Sequence, residues 1–95
     1  MPEMHFDVRW PDGATETCYS PSLVIKDHLA VGECYALEDF LARGRVALTI
    51  ASERVREKYG FACSRALGQL ARIEAAAKRF ATDPNAQVTV LAFHD

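Results

Sequence analysis

Apolar side chains occupy every second position from Met4 to Trp10 (Met4, Phe6, Val8, Trp10), with His5, Asp7 and Arg9 between them. Alternation with a period of two is the pattern of a half-buried strand. Pro11-Asp12-Gly13 follows, a turn sequence in which Pro presets φ and Gly accepts φ > 0. Thr15 to Tyr19 favours β structure and reads as the returning strand of a hairpin. Ser20-Pro21 has the form of a helix start, with Ser as N-cap and Pro at the first helical position, so a short helix is expected near residues 22–27. Residues 31–33 read as loop.

The period then changes. Leu37, Leu41, Gly44, Leu48, Ala51 and Val55 recur at spacings of three and four, widened by Phe40, Ala47 and Ile50, which predicts an amphipathic helix over 37–59. Asp39 and Arg43 form an i,i+4 pair on its polar side. Gly44 lies on the apolar face, where its expected use is the close approach of another backbone. Gly60 is a natural C′ residue. A second helix is predicted over 64–81, with Ala66, Leu70, Ile73, Ala77 and Phe80 as its buried stripe and Leu67 beside them. Only Phe61, Ala62 and Cys63 separate Gly60 from Ser64, so the helices should fold back as an antiparallel hairpin.

Residues 88–93 form a last strand that is apolar on both sides: Val88, Val90 and Ala92 on one, Leu91 and Phe93 on the other. The predicted order is β-β-(short α)-α-α-β, an α+β fold. A small antiparallel sheet is covered on one face by a two-helix hairpin, and residues 1–95 form a single domain. Two helices cover one face of a three-stranded sheet, which leaves Leu91 and Phe93 on the other. Large exposed apolar patches are unusual in monomers, so a homo-oligomer is expected, with a two-fold dimer the commonest form.

Composition narrows the functional classes. Hydrophobic residues make up 49% of the chain and its net charge is −2, a balance that excludes disorder and gives no bulk attraction to nucleic acid or anionic lipid. The charge is unevenly distributed. Residues 1–36 carry two basic and six acidic side chains, whereas residues 37–80 carry nine basic and five acidic. The basic helical segment reads either as a solvated face complemented by the rest of the fold or as a surface for an anionic partner. Arg54, Arg56 and Lys58 are interrupted by Glu53 and Glu57 and lack stacking aromatics, so no nucleic-acid partner is expected. Met1-Pro2-Glu3 is not a basic n-region, no apolar h-region follows, and no apolar run approaches a membrane span. A cytoplasmic protein with no membrane association is expected.

Three cysteines, Cys18, Cys34 and Cys63, are odd in number and sparse, and read as thiols rather than a disulfide framework. They lack paired C-x-x-C spacings, and His5, His28 and His94 are scattered, so no metal site is expected. No glycine-rich phosphate loop and no nucleophile elbow is present, and nothing calls for a cofactor. Two positions stand out as candidate catalytic groups. Cys18 precedes Ser20-Pro21-Ser22, where hydroxyls and a helix start offer an anion site, or an N-cap beside a buried thiol. Cys63 sits at the start of the second predicted helix, a position that lowers a thiol pKa if the sulfur is open, or buries it if not. Cys34 sits in a predicted loop beside Tyr35, with no constellation around it.

Taken together, Met1-Pro2-Glu3-Met4, Val8-Arg9-Trp10-Pro11-Asp12-Gly13, Cys18-Tyr19-Ser20-Pro21-Ser22, residues 50–56 (IASERVR), residues 58–64 (KYGFACS) and residues 88–93 (VTVLAF) resemble a family of small bacterial proteins named for a nitrogen-starvation response. The resemblance covers essentially the whole chain. It implies a setting in nitrogen scavenging, in gene clusters with a nitrilase and linked to use of nitriles or cyanide, and it carries no established reaction. It favours Cys18, Ser20, Pro21 and Cys63 over Cys34, whose position departs from the family pattern. The expected function is a non-catalytic accessory or partner-binding protein, its protein partner coming from the same nitrogen-metabolism cluster. The alternatives are a small enzyme or carrier using Cys18 or Cys63 as thiolate on a nitrile-derived carbon, or an anion sensor built on Ser20, Pro21 and Ser22.

Overall fold

A computed structural model describes residues 2–95; Met1, which opens the first family-like motif, lies outside them. The elements are β1 (Met4–Arg9), β2 (Thr15–Ser20), α1 (Ile25–His28), β3 (Cys34–Ala36), α2 (Leu37–Tyr59), α3 (Ser64–Lys78) and β4 (Gln87–His94). The fold is α+β as expected, but the sheet has four strands, in the order β2-β1-β4-β3, all antiparallel. β3 replaces part of a predicted loop. Three residues are too few to show an alternation, and the strand exists because Tyr35 pairs with Val88 and Cys34 with Thr89.

α2 and α3 pack on one face of the sheet as an antiparallel hairpin. The core between the layers is built from Met4, Phe6, Val8, Trp10, Cys18, Val88 and Val90 on the strands and Phe40, Ala47, Leu48, Ile73 and Ala77 on the helices. Trp10 meets Phe40 edge-on at 5.8 Å and stacks on Phe80 at 6.3 Å. α3 stops at Lys78 rather than Ala81, so Phe80 reaches Trp10 from the turn that follows the helix. Gly60 caps α2 with φ 86° and donates its N–H to the Arg56 carbonyl. Gly44 is buried, yet a Cβ there would meet nothing within 4 Å, so it serves no close backbone approach. Leu67 is exposed rather than part of the buried stripe.

The expectation that failed most informatively concerns β4. Its register against β1 slips between Val8 and Asp7: Val90 pairs with Val8, Ala92 with Asp7 and Phe93 with Phe6. Leu91 is the extra residue of a β-bulge, and one extra residue moves every later side chain to the opposite face. Phe93 therefore packs against the core beside Phe6 and not on the uncovered side. The open face is polar instead. Cross-strand pairing places His5, Asp7, Arg9, Thr15, Thr17, Tyr19, Cys34, Thr89 and His94 there together. The apolar patch formed by Leu91 and Phe93 together, on which a dimer was inferred, is thus absent.

No helix among the described residues is long and apolar enough to cross a membrane.

Candidate functional site

The sequence candidates fall in two different environments. Cys18 pairs with Phe6 on the core face of β2 and is fully buried. Burial pushes its thiol up to about 12, with the Glu16 carboxylate adding to the effect. A thiol held there is protonated at neutral pH and sealed from solvent, so it acts as a small apolar side chain.

Ser20, Pro21 and Ser22 are also buried. Ser20 ends β2 rather than capping a helix, and Pro21 is not a first helical residue: α1 begins only at Ile25, after Val24. The hydroxyls are consumed internally. Ser20 Oγ donates to the Ser22 carbonyl at 2.7 Å and accepts the Ser22 N–H, while Ser22 Oγ accepts the Val24 N–H. Arg54 of α2 donates to the same Ser22 Oγ at 3.0 Å, tying the loop to the helix. The helix start read at Ser20-Pro21 is therefore a turn, and the short helix expected near residues 22–27 forms at Ile25–His28 instead. Side-chain hydrogen bonds to the backbone, which hold that turn here, are interchangeable with an N-cap at the level of sequence.

Cys63 is the accessible one of the two candidate thiols, half-buried at the residue preceding α3. Around it the end of β2 and the start of α3 converge on Tyr19. The Tyr19 N–H, on the open edge of β2, donates to Gln69 Oε1 at 3.0 Å. Arg65 lies over the Tyr19 ring, its guanidinium carbon 3.8 Å from the centroid, and reaches Glu3 at 3.8 Å. His5 meets the ring edge-on at 5.6 Å. Partial burial and then the hydrogen bond to the Glu3 carboxylate raise the Tyr19 phenol to about 12, although Arg65 opposes the shift. The phenol is therefore a neutral donor at neutral pH. Gln69 is buried, and its Nε2 has no partner among the described groups.

This cluster runs directly into the connection between the helices. The last buried residue of α2 is Ser52 and the first of α3 is Ala66, so residues 53–65 contribute nothing to the core. With 23 residues, α2 is roughly 34 Å long, and its far end stands clear of the core. Two of the five large exposed apolar side chains among the described residues lie here, Tyr59 and Phe61 at 69% exposed, and a third, Leu67, follows in the first turn of α3. Arg56, Lys58 and Arg65 flank them in sequence; Lys58 lies over the Tyr59 ring at 5.6 Å, while Arg56 pairs with Glu53 at 3.0 Å and Arg65 with Glu3. The sequence showed these residues as a helix stop, a short connection and a family-like motif, with Arg54, Arg56 and Lys58 as an interrupted basic run, and not as an exposed aromatic surface. That Phe61 projects outward is a tertiary fact, because an aromatic in a tight turn packs inward equally well.

On the open sheet face, His94 Nε2 and Asp7 Oδ2 are 2.8 Å apart, and Thr17 donates to Asp7 Oδ1 at 2.7 Å. These hydrogen bonds, the His94 one foremost, hold the Asp7 carboxyl below its ordinary pKa. Among the described residues no three His, Cys, Asp or Glu side chains are grouped so as to hold a metal ion.

No curated protein and no solved structure matches the chain. The family model for nitrogen starvation-induced protein NitG matches residues 5–93, nearly the full length of the fold just described. The chain therefore belongs to the NitG family of nitrogen starvation-induced proteins.

Proposed function

We propose that this member of the nitrogen-starvation response is a non-catalytic accessory protein that docks a protein partner on the free end of its helical hairpin. The observation that carries the reading is the exposure of Tyr59 and Phe61 near Arg56, Lys58 and Arg65, on a segment that gives the core no buried residue, with exposed Leu67 just beyond it in α3. Aromatic anchors with cations nearby are the composition of interaction hot spots. Leaving them in water has no benefit to this fold by itself. The cations favour a partner whose docking surface is apolar with an acidic rim. The family resemblance points to a partner from the cluster that assimilates nitrogen from nitriles or cyanide. The sealed Cys18 thiol supports a non-catalytic role over thiolate chemistry at that position.

The test uses the full chain in cells limited for nitrogen. Phe61→Ser combined with Tyr59→Ser should leave the thermal midpoint of the purified protein within about 2 °C of wild type, since surface changes away from packed features cost little. The same variant should fail to restore growth to a strain lacking the gene. A photo-crosslinking phenylalanine analogue at position 61 should give one discrete adduct during starvation. Its mass separates a dimer of this chain from a complex with another protein. Full complementation by the double serine variant would defeat the proposal.

A further inference from the structure

At the opposite end of the molecule from the hairpin connection, a cavity of about 310 Å³ opens beside the β1–β2 turn and the loop into β4. Its wall includes Arg9, Cys34, Asp83, Asn85, Gln87 and Thr89. The volume lies at the small end of ligand sites. Two walls carry opposite charge: the Arg9 guanidinium from the open sheet face and the Asp83 carboxylate from the loop. Neither forms an ion pair among the described residues, with each other or with any other group. Asp83 Oδ1 accepts the Asn85 N–H at 2.9 Å, which leaves Oδ2 free.

Neutral polar groups lie alongside. The Cys34 thiol donates to Gln87 Oε1 at 3.2 Å, and Thr89 Oγ1 donates to Cys34 Sγ at 3.5 Å. With its oxygen engaged, Gln87 retains its amide N–H groups as donors. A simple anion entering this cavity meets Asp83, and a simple cation meets Arg9. A ligand carrying both charges satisfies both walls.

We infer that the Arg9–Asp83 cavity binds a small zwitterion of the α-amino-acid class, its carboxylate on Arg9 and its ammonium on Asp83, with the amides of Asn85 and Gln87 reading the side chain. The site is separate from the docking end and stands independently of it.

The test is a titration of the purified full-length protein with each of the common α-amino acids, followed by amide chemical shifts and by the alkylation rate of Cys34 in a Cys63→Ser background. At least one amino acid should shift resonances of the β1–β2 turn and of residues 83–89, and should slow Cys34 alkylation several-fold. Its N-acetylated form and its carboxamide, each lacking one charge, should bind about tenfold more weakly or worse, the scale of one lost charge-assisted contact. Arg9→Gln and Asp83→Asn should each do the same. Asn retains an acceptor for the Asn85 N–H, so the loop persists, and unchanged shifts elsewhere in each variant verify the fold. Absence of binding by every amino acid would overturn the inference. Equal binding of the singly charged analogues would do so as well, as would wild-type affinity in both variants. Failure of Phe61 variants in the growth assay leaves this titration unaffected, and the converse holds too.

Discussion

Cys18 and Cys63 look alike as letters, and their chemistry is set by what surrounds each sulfur. Cys18 is enclosed by the core, and its thiol is raised to about 12. Native protein treated with iodoacetamide at pH 7.5 should label at Cys34 and Cys63 and not at Cys18, which should react only after unfolding; peptide mass mapping reads this directly. Asp7 belongs to the same scale. Its folded pKa lies below the unfolded value of about 3.9. Its contribution to stability is therefore present above that unfolded value and is lost as pH falls through the depressed folded one. Asp7→Asn should lower the urea midpoint slightly at pH 7 and leave it unchanged near pH 2, so the gap between the two proteins closes on acidification. A gap independent of pH would refute the linkage. A buried Cys18 was one of the two readings the sequence left open, whereas the Asp7 contact was not legible beyond the alternation of β1, because Asp7 meets His94 only through the pairing of the two ends of the chain.

Among the elements, α2 was readable to its boundaries, since a 23-residue apolar stripe closed by Gly60 is a long periodic signal. The role assigned to Gly44 was not, because a glycine on an apolar helix face looks the same whether another backbone touches it or not. The space around it predicts that Gly44→Ala stabilises the protein by about 0.5–1 kcal/mol, the propensity difference, measured by urea unfolding. Destabilisation would mean that the helix face is closed where it looks open. The bulge in β4 makes a second element-level prediction. Phe93 packs against the core and Leu91 does not join it. Phe93→Ser should thus cost about 2 kcal/mol or more and Leu91→Ser less than about 1 kcal/mol. Equal costs would return both residues to one face. Bulges escape sequence reading because the extra residue has no composition of its own, and an apolar run on both faces hides the change of phase.

At the scale of the whole molecule, the basic helices and acidic remainder partly neutralise each other. Arg45–Glu74 links α2 to α3, while Arg72–Glu16, Arg65–Glu3 and Arg79–Asp12 join α3 and its end to the N-terminal hairpin region. These exposed pairs contribute little individually. They nevertheless account for much of the charge asymmetry as internal complementarity. Apart from these pairs, Phe61, Tyr59 and Lys58 lie at one end of a molecule 40 Å long, and Arg9 and Asp83, which form no ion pair among the described residues, line the cavity at the other. The polar open face also changes the prediction for self-association. Substituting Ala92 by Glu should leave the sedimentation coefficient unchanged, whereas any dimer should dissociate on changing Phe61 to Ser. Dissociation by the Ala92 variant alone would show that the sheet face is an interface after all.

By itself the sequence determined the strand and helix types, the helical hairpin and the family. Each of these rests on local periodicity, on turn chemistry or on motifs contiguous in the chain. Tertiary structure alone decided which thiol is sealed, which way Phe93 and Phe61 face, that residues 34–36 form a strand, and that Arg9 and Asp83 share a cavity. Those depend on strand register and on contacts between residues up to 87 positions apart, and pairing across such distances leaves no trace in the local pattern of polar and apolar residues.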